Sequence, residues 1–318
     1  MIPGGDFRVP IHDRTMQTES DLAHRIGGVL LPVTTPFDEV TGDVAPVALR
    51  ENLRRYVDAG VDGLVLFGST GEGALLDVEE MVRLTAYARE VVPAGVPLLV
   101  GSSAESTRAT IRLTRMLADQ GADAALVHPP AYFGAFLPPG ALLDYYRALA
   151  DDSPIPVIVY HMPKYTKTTI EPGLMGEITR HPNVLGFKDS SGDIKRFAEY
   201  TRACHDSCRM LVGNGTLLYT ALELGGAGGI VAIADMVPDR CVELVREFRA
   251  GNTRCAGELQ ESLATVHKEI VATWGAVGVK AGMDLLGWNG GPARPPLRTL
   301  GEKGRKQIER VLKEAGAL

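Results

Sequence analysis

A lysine closing a short apolar run is the first residue in this chain with the makings of a nucleophile. In Val184-Leu185-Gly186-Phe187-Lys188-Asp189-Ser190-Ser191-Gly192, the apolar run reads as a buried strand and the small polar residues after it as a loop. An ammonium held between a dry wall and an open mouth is disfavoured by desolvation, which gives the amine nucleophilic character near neutral pH. A strand-end lysine whose head simply reaches water fits the same stretch, so other residues have to decide. Three further apolar runs end in reactive side chains: Gly68-Ser69-Thr70-Gly71-Glu72-Gly73, His128-Pro129-Pro130-Ala131-Tyr132-Phe133 and Tyr160-His161-Met162-Pro163. An amine, two phenols and a serine hydroxyl brought to one rim suit imine chemistry, with a nucleophile, a proton carrier and donors for a carboxylate. The glycines of the first run let backbone amides approach a ligand, although Gly/Ser loops are common. Tyr160 also fits an ordinary core aromatic, and Tyr132 an ordinary loop tyrosine.

Whether these residues meet depends on the elements between them. Apolar runs at 28–33, 63–67, 97–100, 124–127, 156–160, 185–188, 210–212 and 229–233 are near-continuous rather than alternating, as in parallel strands buried on both faces. Helix-like segments with three- and four-residue apolar spacing separate them, among them 45–59, 78–91, 106–120, 142–150, 174–180, 193–204 and 217–224. This alternation predicts an α/β fold, a (β/α)8 TIM barrel, whose active site lies at the C-terminal ends of the strands. A doubly wound sheet is disfavoured, since no G-x-G-x-x-G turn follows the first strand. After Val237-Pro238 the strand signal stops, and 240–250, 254–274 and 303–314 read as helices around a turn-rich 287–296. The expected organisation is an N-terminal extension at 1–25 outside the core, a barrel at 26–238 and a C-terminal helical domain at 239–318. Met16 is an alternative natural start.

Composition narrows the functional classes. The 318 residues are 45% hydrophobic and 23% charged, which is globular composition. A net charge of −6 without a basic stretch argues against nucleic-acid binding. No apolar run approaches the length of a membrane span. Four cysteines are too few for a disulfide scaffold, and no signal-peptide pattern opens the chain, so a cytoplasmic location is expected. Cys204 and Cys208 flank His205 but match no zinc spacing well, and they read as helix-surface thiols. No metal or cofactor is implied.

Gly68-Ser69-Thr70-Gly71-Glu72, Tyr160-x-x-Pro163 and Gly186-Phe187-Lys188-Asp189 together resemble the three signatures of the dihydrodipicolinate synthase / N-acetylneuraminate lyase family. The resemblance runs from about Gly27 to the C-terminus. It implies a pyruvate-type Schiff-base lyase or synthase on a TIM barrel with a helical C-terminal domain. By that resemblance Lys188 forms the imine with a 2-oxo acid, and Tyr160 is the general acid/base. Ser69 links Tyr160 to a second tyrosine, matched by Tyr132, which in many relatives comes from a neighbouring subunit. A homodimer or dimer-of-dimers tetramer follows. Thr70 with nearby amides, including that of Gly71, matches the binder of the substrate carboxylate. The backbone carbonyl of Val231 matches one that faces the ligand, and Ser190 and His161 join them as expected substrate contacts. Lys280 is expected on the surface or an interface.

The substrate beyond the keto carbon is less constrained. Synthases of the family carry an arginine two residues after the Tyr-x-x-Pro proline, where this chain has Tyr165. A tyrosine cannot make arginine's bidentate carboxylate pair, which leaves Lys164 or Lys167 as partial substitutes. Glu105-Ser106-Thr107, His181-Pro182-Asn183 and Gly290-Gly291-Pro292-x-Arg294 are similar instead to the 4-hydroxy-2-oxoglutarate aldolase branch. Cleavage of a 4-hydroxy-2-oxo or 2-oxo-3-deoxy acid is therefore the leading expectation. A sugar-acid dehydratase and dihydrodipicolinate synthase stand as alternatives, with a catalytically silent 2-oxo-acid sensor and a phosphate-binding barrel (213–215, 225–229) as other classes.

Overall fold

The computed structural model describes residues 19–318. Eight strands close into a parallel barrel in chain order: β1 Gly28–Pro32, β2 Gly63–Leu66, β3 Leu98–Gly101, β4 Ala124–Val127, β5 Val157–His161, β6 Val184–Asp189, β7 Arg209–Val212 and β8 Gly228–Ile230. Each expected strand is present. The eighth is shorter than 229–233, because the chain turns at Val231 into a 3-10 segment, Ala232–Asp235. There the buried Asp235 carboxylate accepts the Thr34 amide at 3.2 Å.

Strand side chains alternate between two apolar layers, as the period of two requires. Leu30, Val65, Leu99, Leu126, Ile158 and Tyr160 fill the barrel interior. Leu31, Leu64, Leu66, Val100, Val157 and Val159 face the surrounding helices. Both layers are dry, which is why the strands read as unbroken apolar runs. In β5 and β6 the register sets Tyr160 beside Lys188 and His161 beside Asp189. The first pair lies on the inward parity and the second on the outward one.

The N-terminal extension differs from expectation. Residues 1–18, and Met16 with them, lie outside the described residues. The helix Glu19–Arg25 is part of the core rather than separate from it: Leu22 and Ile26 join the barrel-interior cluster.

After the barrel come helices Pro238–Arg249, Thr253–Val266, Thr273–Leu285 and Glu302–Glu314. The helix expected at 254–274 continues past its predicted end, but through two irregularities. A π-helical segment spans His267–Ala272, and Gly275 adopts φ 59°, ψ −144°, a conformation only glycine takes without strain. Both irregularities stand over the C-terminal mouth of the barrel.

Candidate active site

The mouth holds a cavity of about 240 Å³, well beyond the ~10–15 Å³ that one water occupies by a comparable measure. Lys188, Tyr160, Ser69, Thr70 and Ser190 form its floor and near wall. Its roof comes from the irregular C-terminal segment, through His267, Val271, Ala272, Gly275 and Ala276.

Lys188 is 5% exposed, and its Nζ sits 4.3 Å from the centroid of the Tyr160 ring. Among the described residues no carboxylate pairs with it. Asp189, next in sequence, turns away: its carboxylate takes His161 Nδ1 at 2.7 Å and the Ser191 hydroxyl at 2.8 Å. Room for the lysine depends on Gly213 at the end of β7, where a Cβ would lie 2.9 Å from Lys188 Cε and 1.8 Å from Ser190 Oγ. Ser190 Oγ itself has no hydrogen-bond partner among the described residues. The Tyr160 hydroxyl lies 3.3 Å from Ser69 Oγ. Amine, phenol and hydroxyl thus form a continuous polar strip across an otherwise apolar interior. This arrangement can attack a carbonyl and relay a proton to or from the product oxygen.

The loop bearing Ser69 and Thr70 is bent hard. Phe67 (φ 58°) and Glu72 (φ 55°) both occupy the left-handed region, costing about 1–3 kcal/mol apiece for non-glycine residues. Buried contacts hold that shape. Thr35 Oγ1 donates to the Gly71 carbonyl at 2.7 Å. The Glu72 carboxylate is 2.5 Å from Lys280 Nζ and also accepts the Arg294 amide at 2.8 Å. Lys280 donates to the Pro292 carbonyl at 2.7 Å, and its Nζ and the Arg294 guanidinium carbon each lie 4.2 Å from the Phe37 ring centroid.

Several expected contacts fall elsewhere. His161 is wholly buried and outside the cavity, because its outward parity aims it at Asp189 and at Tyr200 OH, 3.2 Å away. Val231 does not line the cavity, and its carbonyl accepts the Ala234 amide at 3.1 Å; its neighbours Ile230 and Ala232 are the lining residues. Gly71 lies behind the wall rather than on it, packed so that a Cβ would meet Val33 O at 2.7 Å. Tyr132 is 82% exposed and does not line this cavity. Lys280 is no surface lysine but 1% exposed, its ammonium disfavoured by burial and partly rescued by Glu72. Cys208 is buried in the turn before β7 rather than on a helix surface.

His267 and Asn214 line the cavity without having been singled out for it, and Lys164, one of the two lysines near the missing arginine, lines it as well. Asn214 was legible as the end of the seventh strand; His267 sits in a helix whose π turn no periodicity announces. Among the described residues no cluster of three or more His, Cys, Asp or Glu is arranged to hold a metal, and no helix is long and apolar enough to cross a membrane.

Comparison with known proteins identifies the family. The profile of the Dihydrodipicolinate synthetase family matches residues 25–315. The 4-hydroxy-tetrahydrodipicolinate synthase of Methanoculleus marisnigri is 34% identical over 291 residues, covering 91% of this chain and 99% of that protein. Among solved structures, dihydrodipicolinate synthase from Thermotoga maritima superposes with TM-score 0.86 at 26% identity, over 92% of this chain and 99% of that one. YagE from Escherichia coli K12, a prophage protein of the dihydrodipicolinic acid synthase family solved in complex with pyruvate, gives 0.86 at 25% identity, with the same two coverages.

Proposed function

The chain belongs to the dihydrodipicolinate synthetase family, and from that premise we propose that it is a class I Schiff-base lyase acting on pyruvate or a pyruvate-like 2-oxo acid. The carrying observation is the buried, carboxylate-free Lys188 against Tyr160, with Ser69 bonded to the phenol. Lys188 attacks the keto carbon, and loss of water leaves a cationic imine that acts as an electron sink. Loss of a C3 proton then gives an enamine, which adds to an aldehyde carbon in the condensing direction. Tyr160 supplies the proton to the new C4 oxygen, and removes it in retro-aldol cleavage. Thr70 and the amides of its loop receive the substrate carboxylate.

Condensation of pyruvate with an aldehyde is the reading we put first. The curated relatives carry the name 4-hydroxy-tetrahydrodipicolinate synthase, which supports it over cleavage by a 4-hydroxy-2-oxoglutarate aldolase. The aldolase reading is kept for one reason: Tyr165, not arginine, lines the cavity. We further propose that a second copy of the chain completes the relay with Tyr132. Supporting this, Tyr132, Phe133 and Phe136 form an exposed aromatic patch, and the Glu105 carboxylate fixes the loop by accepting the Ala131 and Tyr132 amides at 3.0 and 2.9 Å.

The test is borohydride reduction in the presence of pyruvate, followed by peptide mass mapping. A reduced pyruvyl adduct is expected on Lys188 and absent from Lys188→Ala. No adduct on folded protein at saturating pyruvate refutes the reading.

A further inference from the structure

The cavity wall beyond Lys188 combines hydroxyls, among them Tyr165 and Ser191, with three nitrogen-bearing side chains, Lys164, Asn214 and His267. Among the described residues no Asp, Glu or Gln lines the cavity. At the roof, His267 Nδ1 lies 3.3 Å from the Gly215 backbone nitrogen. A backbone amide can only donate, so Nδ1 is the acceptor and the ring proton sits on Nε2. Burial pushes the imidazole down to about 4, so the ring is neutral at pH 7 and this tautomer persists. Nε2 bonds to nothing among the described residues, yet it is not sealed off as a buried orphan. Asn214 is fixed in the same way. Its Oδ1 accepts the Thr216 amide and the Thr216 hydroxyl, both at 2.9 Å, which leaves only its NH2 for a ligand. Lys164, at the rim of the same cavity, has no carboxylate partner among the described residues. The three side chains therefore present hydrogen-bond donors and no acceptor.

A donor-only trio of side chains matches a ligand group that only accepts. A carboxylate is such a group, whereas a sugar-like hydroxyl placed against these three side chains finds no acceptor there for its own proton. Bonds to a charged acceptor in a partly dry site are also the stronger kind. The helix is irregular where it delivers His267: the π segment begins at that residue, and π turns within helices recur at functional sites.

We propose that His267 Nε2–H and Asn214 Nδ2–H2, with Lys164 at the rim, bind a carboxylate on the aldehyde-derived half of the substrate, so that the enzyme selects carboxylated over uncharged aldehydes. The inference rests on the Schiff-base reading above. It assigns the condensation product as a 2-oxo dicarboxylate and makes His267 and Asn214 specificity-determining residues.

The experiment compares pyruvate condensation with glyoxylate and succinic semialdehyde against glycolaldehyde and butanal, with borohydride trapping of pyruvate run in parallel. The wild-type protein is expected to favour at least one carboxylated aldehyde by about tenfold or more in kcat/KM. His267→Leu and Asn214→Ala should each lower that preference by about tenfold, through the KM of the aldehyde, and leave pyruvate trapping unchanged. His267→Gln, which can accept from Gly215 and still donate, should retain most of it. If His267→Leu does not fold, Asn214→Ala reads the same preference from the second donor. Equal losses with charged and uncharged aldehydes, or a wild-type adduct with no charge preference in turnover, overturn this inference alone. Absence of the adduct in the wild type overturns the Schiff-base reading and this inference with it.

Discussion

Replacing Lys280 by methionine probes how the C-terminal segment supports the catalytic loop. Methionine keeps most of the aliphatic volume and removes the charge. Glu72, whose side chain is wholly buried, is then left with the Arg294 amide as its remaining partner. Breaking one side of a buried ion pair costs about 3–5 kcal/mol, because the surviving charge has lost its close counterion and gains no water. With about 2.1 cal/mol/K per residue of unfolding entropy, a chain of 318 residues should melt about 5–8 °C lower. Glu72→Gln combined with Lys280→Met removes both charges and should recover most of that loss, since neutral replacement of a buried pair is often tolerated. Activity adds a second readout. Glu72 is held in a left-handed conformation three residues after Ser69, so the single variant should lower the rate of pyruvate trapping as well as the melting temperature. Calorimetry on the two single variants and the double variant closes the cycle. A Lys280→Met melting point within about 1–2 °C of wild type, or a double variant as unstable as the sum of its parts, would refute the claim that the pair shapes the loop.

Tyr160→Phe removes the phenolic proton while keeping the ring beneath Lys188. Turnover should fall about 10²–10⁴-fold, the usual contribution of a general acid/base, with borohydride trapping of pyruvate retained; loss of both together would point to misfolding instead. His267 also predicts a pH dependence. Its folded pKa of about 4 lies below the unfolded value of about 6.5, so between these the unfolded chain binds the extra proton. The stability it contributes is therefore complete above about pH 6.5 and is lost as pH falls toward 4, by about 3 kcal/mol in all. His267→Gln should flatten the denaturation midpoint against pH over that interval relative to wild type, and an unchanged slope would show that the ring is not held neutral by burial.

What could be read from the chain without its structure follows a physical line. The barrel was legible because parallel strands are dry on both faces, so their apolar runs stand out whatever the parity of each residue. That same dryness hid the parity. In Tyr160-His161 nothing in the residue types says which side chain faces the interior, and only the pairing of Tyr160 with Lys188 and of His161 with Asp189 decides it. His161 accordingly belongs to the wall behind the site, where it braces Asp189 and keeps that carboxylate away from the lysine amine. Lys280 was illegible for a different reason. A lysine is read as exposed unless its counterion is known, and Glu72 lies more than two hundred residues away in a loop whose signal is all glycine and hydroxyl. Long-range charge pairing leaves no local trace, and neither does a π turn, which shifts the helical face only after the fact. The residues visible at strand ends are those proposed to act on the keto carbon. His267, which no periodicity announces, comes from the roof laid over the barrel by the last quarter of the chain. The residues proposed for the keto carbon stand at strand ends, whereas those proposed for selectivity are divided, Asn214 directly after β7, Lys164 after β5 and His267 on the irregular helix, so a change of substrate would draw on both parts of the fold.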